Sequence, residues 1–376
     1  MPVINYEPLN PATDVTTTRT ILHEALPLTG TIISGTYGAY RSEGNIKNFS
    51  HGMFQSVYDY PYLSSSANHI FDITLGYDES SAFSSSAVAG GLNPGVQTSK
   101  KINMYNQFAQ VLLGYTGSES TVEIFESDLN FADNDNQMKE VFFVNFSRLL
   151  VKDQIKKGSF SLILGTGSWA DPFGARGVGG FTSSMTLSDI SASSAETGIA
   201  PSNGGDYGVL YQTAGGGTAV TGLGTGSIAQ GIVFYQAGIA VITASVFINN
   251  SNDFYHETNG VKRNLTSSFV SASISGSCDA FRRRIRNISF NNNTEINSTI
   301  YFCRAPHNKF NYSSNPTYVS GSKIRVKNVS SDDPRSYITT IGLYNSSNEL
   351  LAIAKLSEPL SKDPSNEVTL RVRLDY

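Results

Sequence analysis

Apolar and polar positions along this chain group into short runs and alternations far more often than into helical spacing. VFFVNFSRLL (141–150), SFSLILG (159–165) and FDITLGY (71–77) are compact apolar runs of the kind that buried strands carry. GIVFYQAGIAVITASVFI (231–248) is the most apolar stretch, eighteen residues without a charge. Its length approaches that of a membrane helix, but Gln236 and Gly238 interrupt it and β-branched residues crowd its second part. The pattern predicts two buried strands turning at Ala237–Gly238, with Ala240, Ile242, Ala244 and Val246 on one face.

One helix is clear, over KKINMYNQFAQVLLG (100–114). Ile102, Tyr105, Phe108, Ala109 and Leu112 fall at helical spacing, and Gly114 stands where a left-handed cap belongs. A second short helix is expected to close at Gly158 in VKDQIKKG. In the last third, FRRRIRNISF (281–290), STIYFCRA (298–305), SKIRVKNV (322–329) and VTLRVRLDY (368–376) read as strands. YITTIGLY (337–344) and ELLAIAKL (349–356) flank a four-residue loop of turn formers, Asn345 to Asn348. Pairing Tyr344 with Glu349 would set Ile341 opposite Ala352 and Leu343 opposite Leu350.

The fold class that follows is mainly β with a few short helices (α+β): a β-rich N-terminal half with one or two helices, and an antiparallel, sandwich-like C-terminal domain. Residues 1–20 carry no periodicity and read as an extended arm whose loss would spare the rest of the fold. Residues 21–164 read as a β-rich α+β domain, and 231–376 as the antiparallel β-domain. Between them, 165–230 is dominated by Gly, Ser, Thr and Ala and reads as loops or an insertion.

Composition narrows the function classes. Charged residues make up 15 % of the 376, against about 25 % in an average domain, so Ser, Thr, Asn, Gln and Gly must supply the polar surface. A net charge of −4 offers no basic footprint for nucleic acid. Mean hydropathy of −0.17 speaks for a soluble chain with no membrane partner. Cys278 and Cys303 are too few for a cysteine zinc site and read as two separate thiols. MPVINYEPLNPATDV lacks the basic-then-apolar layout of an export signal. The ten Asn-x-Ser/Thr sequons, at Asn48, Asn145, Asn249, Asn264, Asn287, Asn292, Asn297, Asn311, Asn328 and Asn345, therefore read as turn and strand-edge chemistry.

Catalytic, cofactor and metal signatures are missing from the sequence. No G-x-S-x-G, H-E-x-x-H or phosphate-loop pattern occurs. Ser320-Gly-Ser-Lys323 matches S-x-x-K only at a turn opening a strand, and His23, His51, His69, His256 and His307 are dispersed. Gly222, Gly224 and Gly226 precede a strand-like run, whereas anion cradling needs a helix N-terminus there. Asp128, Asp133 and Asp135 offer the hard oxygens that calcium prefers, but without the glycine and closing glutamate of a calcium loop they read as a solvated acidic turn. One cluster suggests recognition. On a strand, Arg282, Arg284 and Arg286 would project from one face as a ridge for docking an acidic partner, unless they form a solvated face that discourages edge pairing.

The wording of the chain adds a resemblance. Residues 297–376, from NSTIYFCRAPHNKFNYSS to TLRVRLDY, resemble a family of virion structural proteins of contractile-tailed, myovirus-like marine bacteriophages. NFSRLLVKDQIKKGSFSLILGTGSWADPFG (145–174) and GIVFYQAGIAVITASVF (231–247) resemble further segments of it. The resemblance implies a non-enzymatic, repeated component of the particle, at the baseplate, the neck or another tail element, residing in the virion after assembly in the host bacterial cytoplasm. Its partners would be copies of itself and other virion proteins, and it transfers no functional residues. Two other classes stay open: a tail-associated glycan hydrolase, which would need two carboxylates facing across a cleft, and a host-receptor binding module using tyrosine-rich loops.

Overall fold

The computed structural model describes residues 6–22, 43–84, 96–116, 121–131, 135–169, 181–192, 198–213, 229–247, 254–256, 262–311, 319–320, 323–324 and 335–376. In chain order the elements begin with β1 (Val15–Leu22), β2 (Ile46–Asn48), β3 (Gln55–Tyr58), β4 (His69–Tyr77), α1 (Thr98–Leu112), β5 (Glu140–Phe146), α2 (Arg148–Val151) and β6 (Gln154–Ile155). They continue with β7 (Ser161–Trp169), β8 (Phe181–Ser188), β9 (Ile199–Ala200), β10 (Tyr207–Thr213), β11 (Ala229–Phe234), β12 (Ile239–Thr243), β13 (Tyr255–His256) and β14 (Lys262–Arg263). The last are α3 (Leu265–Val270), α4 (Ile274–Arg284), β15 (Ile285–Ser289), β16 (Asn292–Ala305), β17 (Val319–Ser320), β18 (Lys323–Ile324), β19 (Ser336–Tyr344), β20 (Leu350–Lys362) and β21 (Val368–Asp375). The fold is mainly β, with antiparallel sheets and a few helices, as the sequence pattern predicts.

The chain divides into two compact units. One comprises residues 23–294; the other joins 1–22 to 295–376. This differs from boundaries near 20, 164 and 230. Strands before and after the Gly/Ser-rich stretch pair directly, β5 with β12, and the stretch itself holds β8 and β10, which pair with each other and, through β10, with β11, so it is part of the sheet and no domain ends there. Of that stretch, 170–180, 193–197 and 214–228, with Gly222, Gly224 and Gly226, lie outside the described residues, as does most of SKIRVKNV.

In the 23–294 unit the main sheet runs β15-β7-β8-β10-β11-β12-β5-β4-β3-β2, with β9 beside β10. Its central strands are apolar on both sides because both faces are covered. Phe142, Val144, Phe146, Leu210, Val233, Ala240 and Ile242 share a core with Phe269, Cys278 and Phe281 of α3 and α4. The alternate residues Val141, Phe143, Val209, Ile232, Phe234 and Val241 pack with Tyr105, Ala109 and Leu112 of α1. Period-two alternation thus sends neighbouring residues into two different cores. Phe142 stacks on Phe281 with ring centroids 4.3 Å apart, and Phe143 stacks on Phe108 at 4.2 Å.

Helix α1 sits against β4 without intervening side chain at Gly76, where a Cβ would meet Lys101 O and Tyr105 N at 2.7 Å. The helix ends as its sequence predicts: Gly114 has φ +103° and its N–H donates to Ala109 O. The uncharged run of 231–248 forms β11, a turn and β12, after which Ala244–Phe247 turns into a 3₁₀ segment, so the alternation expected through Val246 stops at Thr243. No helix among the described residues is long and apolar enough to cross a membrane.

Two local expectations are corrected. The helix predicted to close at Gly158 is the single turn α2, which ends at Val151, before β6. Residues 281–284 are helical, not extended. Ser273 caps α4 by accepting from Gly276 N, and Ile274, Cys278 and Phe281 then fall on one buried helical face.

The second unit draws on both ends of the chain. β16 lies between β1 and β21, pairing with β21 from Ser298↔Asp375 to Ala305↔Val368. Residues 15–22 of the N-terminal segment are therefore an extended strand paired within the unit's sheet. Phe302 N donates to Asp14 O, Arg304 pairs with Asp14 at 2.8 Å, Lys309 pairs with Glu7, and Tyr6 packs edge-on against Tyr344. β19 and β20 form a separate two-stranded hairpin. Its register is Ile341↔Ala354 and Leu343↔Ala352, two residues from the expected one, because an extra residue of β20 at Leu351 and the turn at Asn345–Glu349 shift the pairing. Asn345 organises that turn, its Oδ1 accepting from Ser347 N and Glu349 N, and Asn348 adopts φ +62°.

Candidate functional site

Arg282, Arg284 and Arg286 do not form an exposed ridge. Arg282 and Arg284 lie in the last turn of α4 and are buried, while Arg286 is half-buried on β15. On a helix, residues two apart point to nearly opposite sides, so the two buried guanidinium groups enter different pockets. Arg282 Nη2 donates to Asp279 Oδ1 at 2.8 Å and its Nε to Gln55 Oε1 at 3.1 Å; Gln55 Nε2 donates to the same Asp279 oxygen. Arg284 donates to Phe254 O and Gly165 O at 2.9 and 3.0 Å and lies over the rings of Phe247 and Phe254. Both tie α4 into the core, a structural use of charge that needs every donor answered.

Other polar clusters are likewise internal fastenings. Lys101 is buried on α1 and its Nζ donates to Phe269 O (2.5 Å) and Ala272 O (2.8 Å), the carbonyls left open where α3 ends. Burial pulls its pKa down to about 8. Asp189 is buried, its carboxylate accepting from Gly158 N, Phe160 N and Tyr235 Oη; burial pushes its pKa up to about 6. Cys278, whose Sγ–H faces Ile73 O, is held far up by burial and is no nucleophile. Cys303 is likewise unpaired with any cysteine.

Among the described residues, a Ser/His/Asp grouping on the β3–β4 hairpin lacks the geometry of a nucleophile and base. Ser56 Oγ and His69 Nε2 both engage Asp72 Oδ1, at 2.5 and 2.9 Å, so the hydroxyl is spent on the carboxylate. In the acidic turn, Asp128 accepts from Asn130 N and Asn136 Nδ2, and Asp135 accepts from Asn136 Nδ2; Asp133 lies outside the described residues. The described residues contain no cluster that could hold a metal ion. Ser320 pairs with Lys323 across the two-residue hairpin β17–β18.

Among the described residues, exposed large apolar side chains gather on one hairpin. Leu351 and Ile353 of β20 are 68 % and 58 % exposed, Leu350 and Tyr344 about half, and Tyr337 and Leu360 are exposed as well. A Cβ on Gly342 would meet Tyr344 Cε2 at 2.8 Å and Leu350 Cδ1 at 3.2 Å, so these two side chains lie together over one face of the hairpin. Tyr6 extends the same patch through its contact with Tyr344. The sequence pattern locates the hairpin but not the solvent exposure of its apolar side chains. An exposed strand face that carries arginines is instead that of Arg371 and Arg373 of β21 beside Arg304 of β16, with Arg373 paired to Asp375 and Arg304 to Asp14. The alternation in VTLRVRLDY was its signal. Comparison of the chain with protein-family models, curated proteins and solved structures finds no match.

Proposed function

We propose that this chain is a non-enzymatic structural component of a bacteriophage particle, in the baseplate or neck region of the tail, that works by binding copies of itself and other virion proteins. The observation that carries the reading is the aliphatic and tyrosine surface of the β19–β20 hairpin, exposed on a unit whose described residues bury few apolar side chains. The resemblance of residues 145–174, 231–247 and 297–376 to virion proteins supports the same view. Mechanistically, such a protein acts through complementary surface: the 23–294 unit supplies a rigid body, and the open hairpin supplies contact area that gains stability once covered. Isolating particles, washing them at high salt and identifying the bound polypeptides tests this. Presence at fixed copy number supports the reading, and absence from washed particles overturns it.

One observation favours a second reading, a host-surface contact. Tyr60, Tyr62 and Leu63 are exposed on a loop whose shape is fixed by Asp59 accepting from Tyr60 N, Asn68 N and Asn68 Nδ2. Binding of the labelled chain to intact host cells, lost in Tyr60→Ala/Tyr62→Ala, would favour it.

A further inference from the structure

The β19–β20 hairpin differs along its two strands in a way that points to what covers it. Strands at a sheet edge are ordinarily guarded by charge, proline or bulges, since an unguarded edge recruits another strand. In this hairpin every such device is on β20. Between Ile338↔Leu360 and Thr340↔Lys355, β20 carries three residues more than β19, including Glu358 and Pro359, and near Leu351 it carries one more. Lys355 adds a charge. β19 has none of these: Ser336–Tyr344 reads SYITTIGLY, nine residues without charge or proline and with no extra residue of its own. Among the described residues no strand other than β20 pairs with it.

We infer that the outer edge of β19 pairs with β19 of a second copy of this chain, antiparallel about a two-fold axis at Thr340, giving the four-stranded sheet β20-β19-β19-β20. The sequence is self-complementary in that register. Thr340 faces its own copy, Thr339 faces Ile341, Ile338 faces Gly342 and Tyr337 faces Leu343, so the axis carries a Thr–Thr pair and the flanks an aromatic–aliphatic one, with no like charges opposed. Full overlap of the nine residues comes only in this register. It also answers a stability problem, because a lone two-stranded hairpin is marginal in water, whereas four strands with an apolar face are not. Tyr344, Leu350 and Ile353 of the two copies then extend one apolar surface across the axis. An edge of nine residues covers less than the roughly 800 Å² per partner of a standard interface, so the contact is weak alone and gains strength where many copies are held together.

The inference rests on the assembly reading above for its use in the particle, but its test does not. Sedimentation velocity of the purified full chain from about 1 to about 200 μM should show a concentration-dependent shift from monomer to dimer. Thr340→Lys places two ammonium groups opposite each other at an exposed position. It should keep the chain monomeric throughout that range with its melting temperature retained. Thr340→Cys should give a disulfide-linked dimer on mild oxidation, since residues directly opposite lie about 4.5–5.5 Å apart. Thr339→Cys, displaced from its own copy, should cross-link no more than the native chain with Cys303. A native chain that stays monomeric, a Thr340→Lys chain that dimerises normally, or equal cross-linking at 339 and 340 would each overturn the pairing. A monomer in solution that is nonetheless found in washed particles would sink this contact alone; a dimer absent from particles would sink the assembly reading alone.

Discussion

The two units use apolar residues in opposite ways. In the 23–294 unit the sheet is covered on both faces, and Phe142, Phe143, Phe234, Phe269 and Phe281 are fully or nearly fully buried. In the unit built from the chain ends, Ala305 and Val372 are the buried apolar side chains among the described residues, while Tyr6, Tyr337, Tyr344, Leu350, Leu351, Ile353, Leu360 and Tyr376 are exposed. The first unit resembles a finished interior; the second resembles half of one. Apolar residue types are about equally frequent in the two, so burial is decided by whether other elements receive the apolar face.

The contrast can be broken at several points. The largest effect is expected from removing residues 1–22, which takes β1 from the side of β16 along with the Asp14–Arg304 pair. Amides of Thr299–Ala305 should lose hydrogen-exchange protection while the 23–294 unit keeps its melting transition. A truncated chain whose β16 remains protected would restore the free-arm view. Next, Phe142→Ala should cost about 3–5 kcal/mol by denaturant unfolding, because it empties the centre of a packed aromatic cluster. Ile353→Ala should stay within about 0.5 kcal/mol in the monomer. Similar costs at both positions would erase the distinction between the units.

A smaller effect concerns Lys101. Its folded pKa, about 8, lies below the ordinary lysine value, so between those values the unfolded chain binds more protons than the folded one. The stabilising contribution is therefore complete above pH 10 and is lost as pH falls through 8. The stability advantage of the native chain over Lys101→Met should widen from pH 8 to pH 10 by on the order of 1–3 kcal/mol. A flat difference would mean that the carbonyls of Phe269 and Ala272 offset the burial. Above pH 10 the buried Tyr105, Tyr207 and Tyr235, whose pKa values burial raises, act in the opposite sense.

How legible the molecule was follows from which forces are local. VFFV, GIVF and IAVI betray their strands because burial on both faces removes polar alternation. Helix α1 shows its spacing and its glycine stop. Helix α4 hid because Ser275, Gly276 and Ser277 are weak helix formers and because its last residues run without a break into strand β15 at Ile285; the informative signal was the Ser273 cap followed by Ile274, Cys278 and Phe281. Nothing local could announce that β1 pairs with a strand some 280 residues later. The arginines failed for a related reason: a period-two pattern presumes a strand, and on a helix the same residues part company. The open hairpin was legible as a hairpin, but its exposure depends on tertiary packing, which no local pattern encodes.

The most direct test of the central claim is amide hydrogen exchange, measured on the chain diluted to monomer and again at high concentration or in the assembled particle. Amides of Tyr337–Leu343 that face away from β20 should exchange freely in the monomer and become protected on assembly, while those of β5, β11 and β12 stay protected in both. Equal protection of Tyr337–Leu343 in both states would contradict the account.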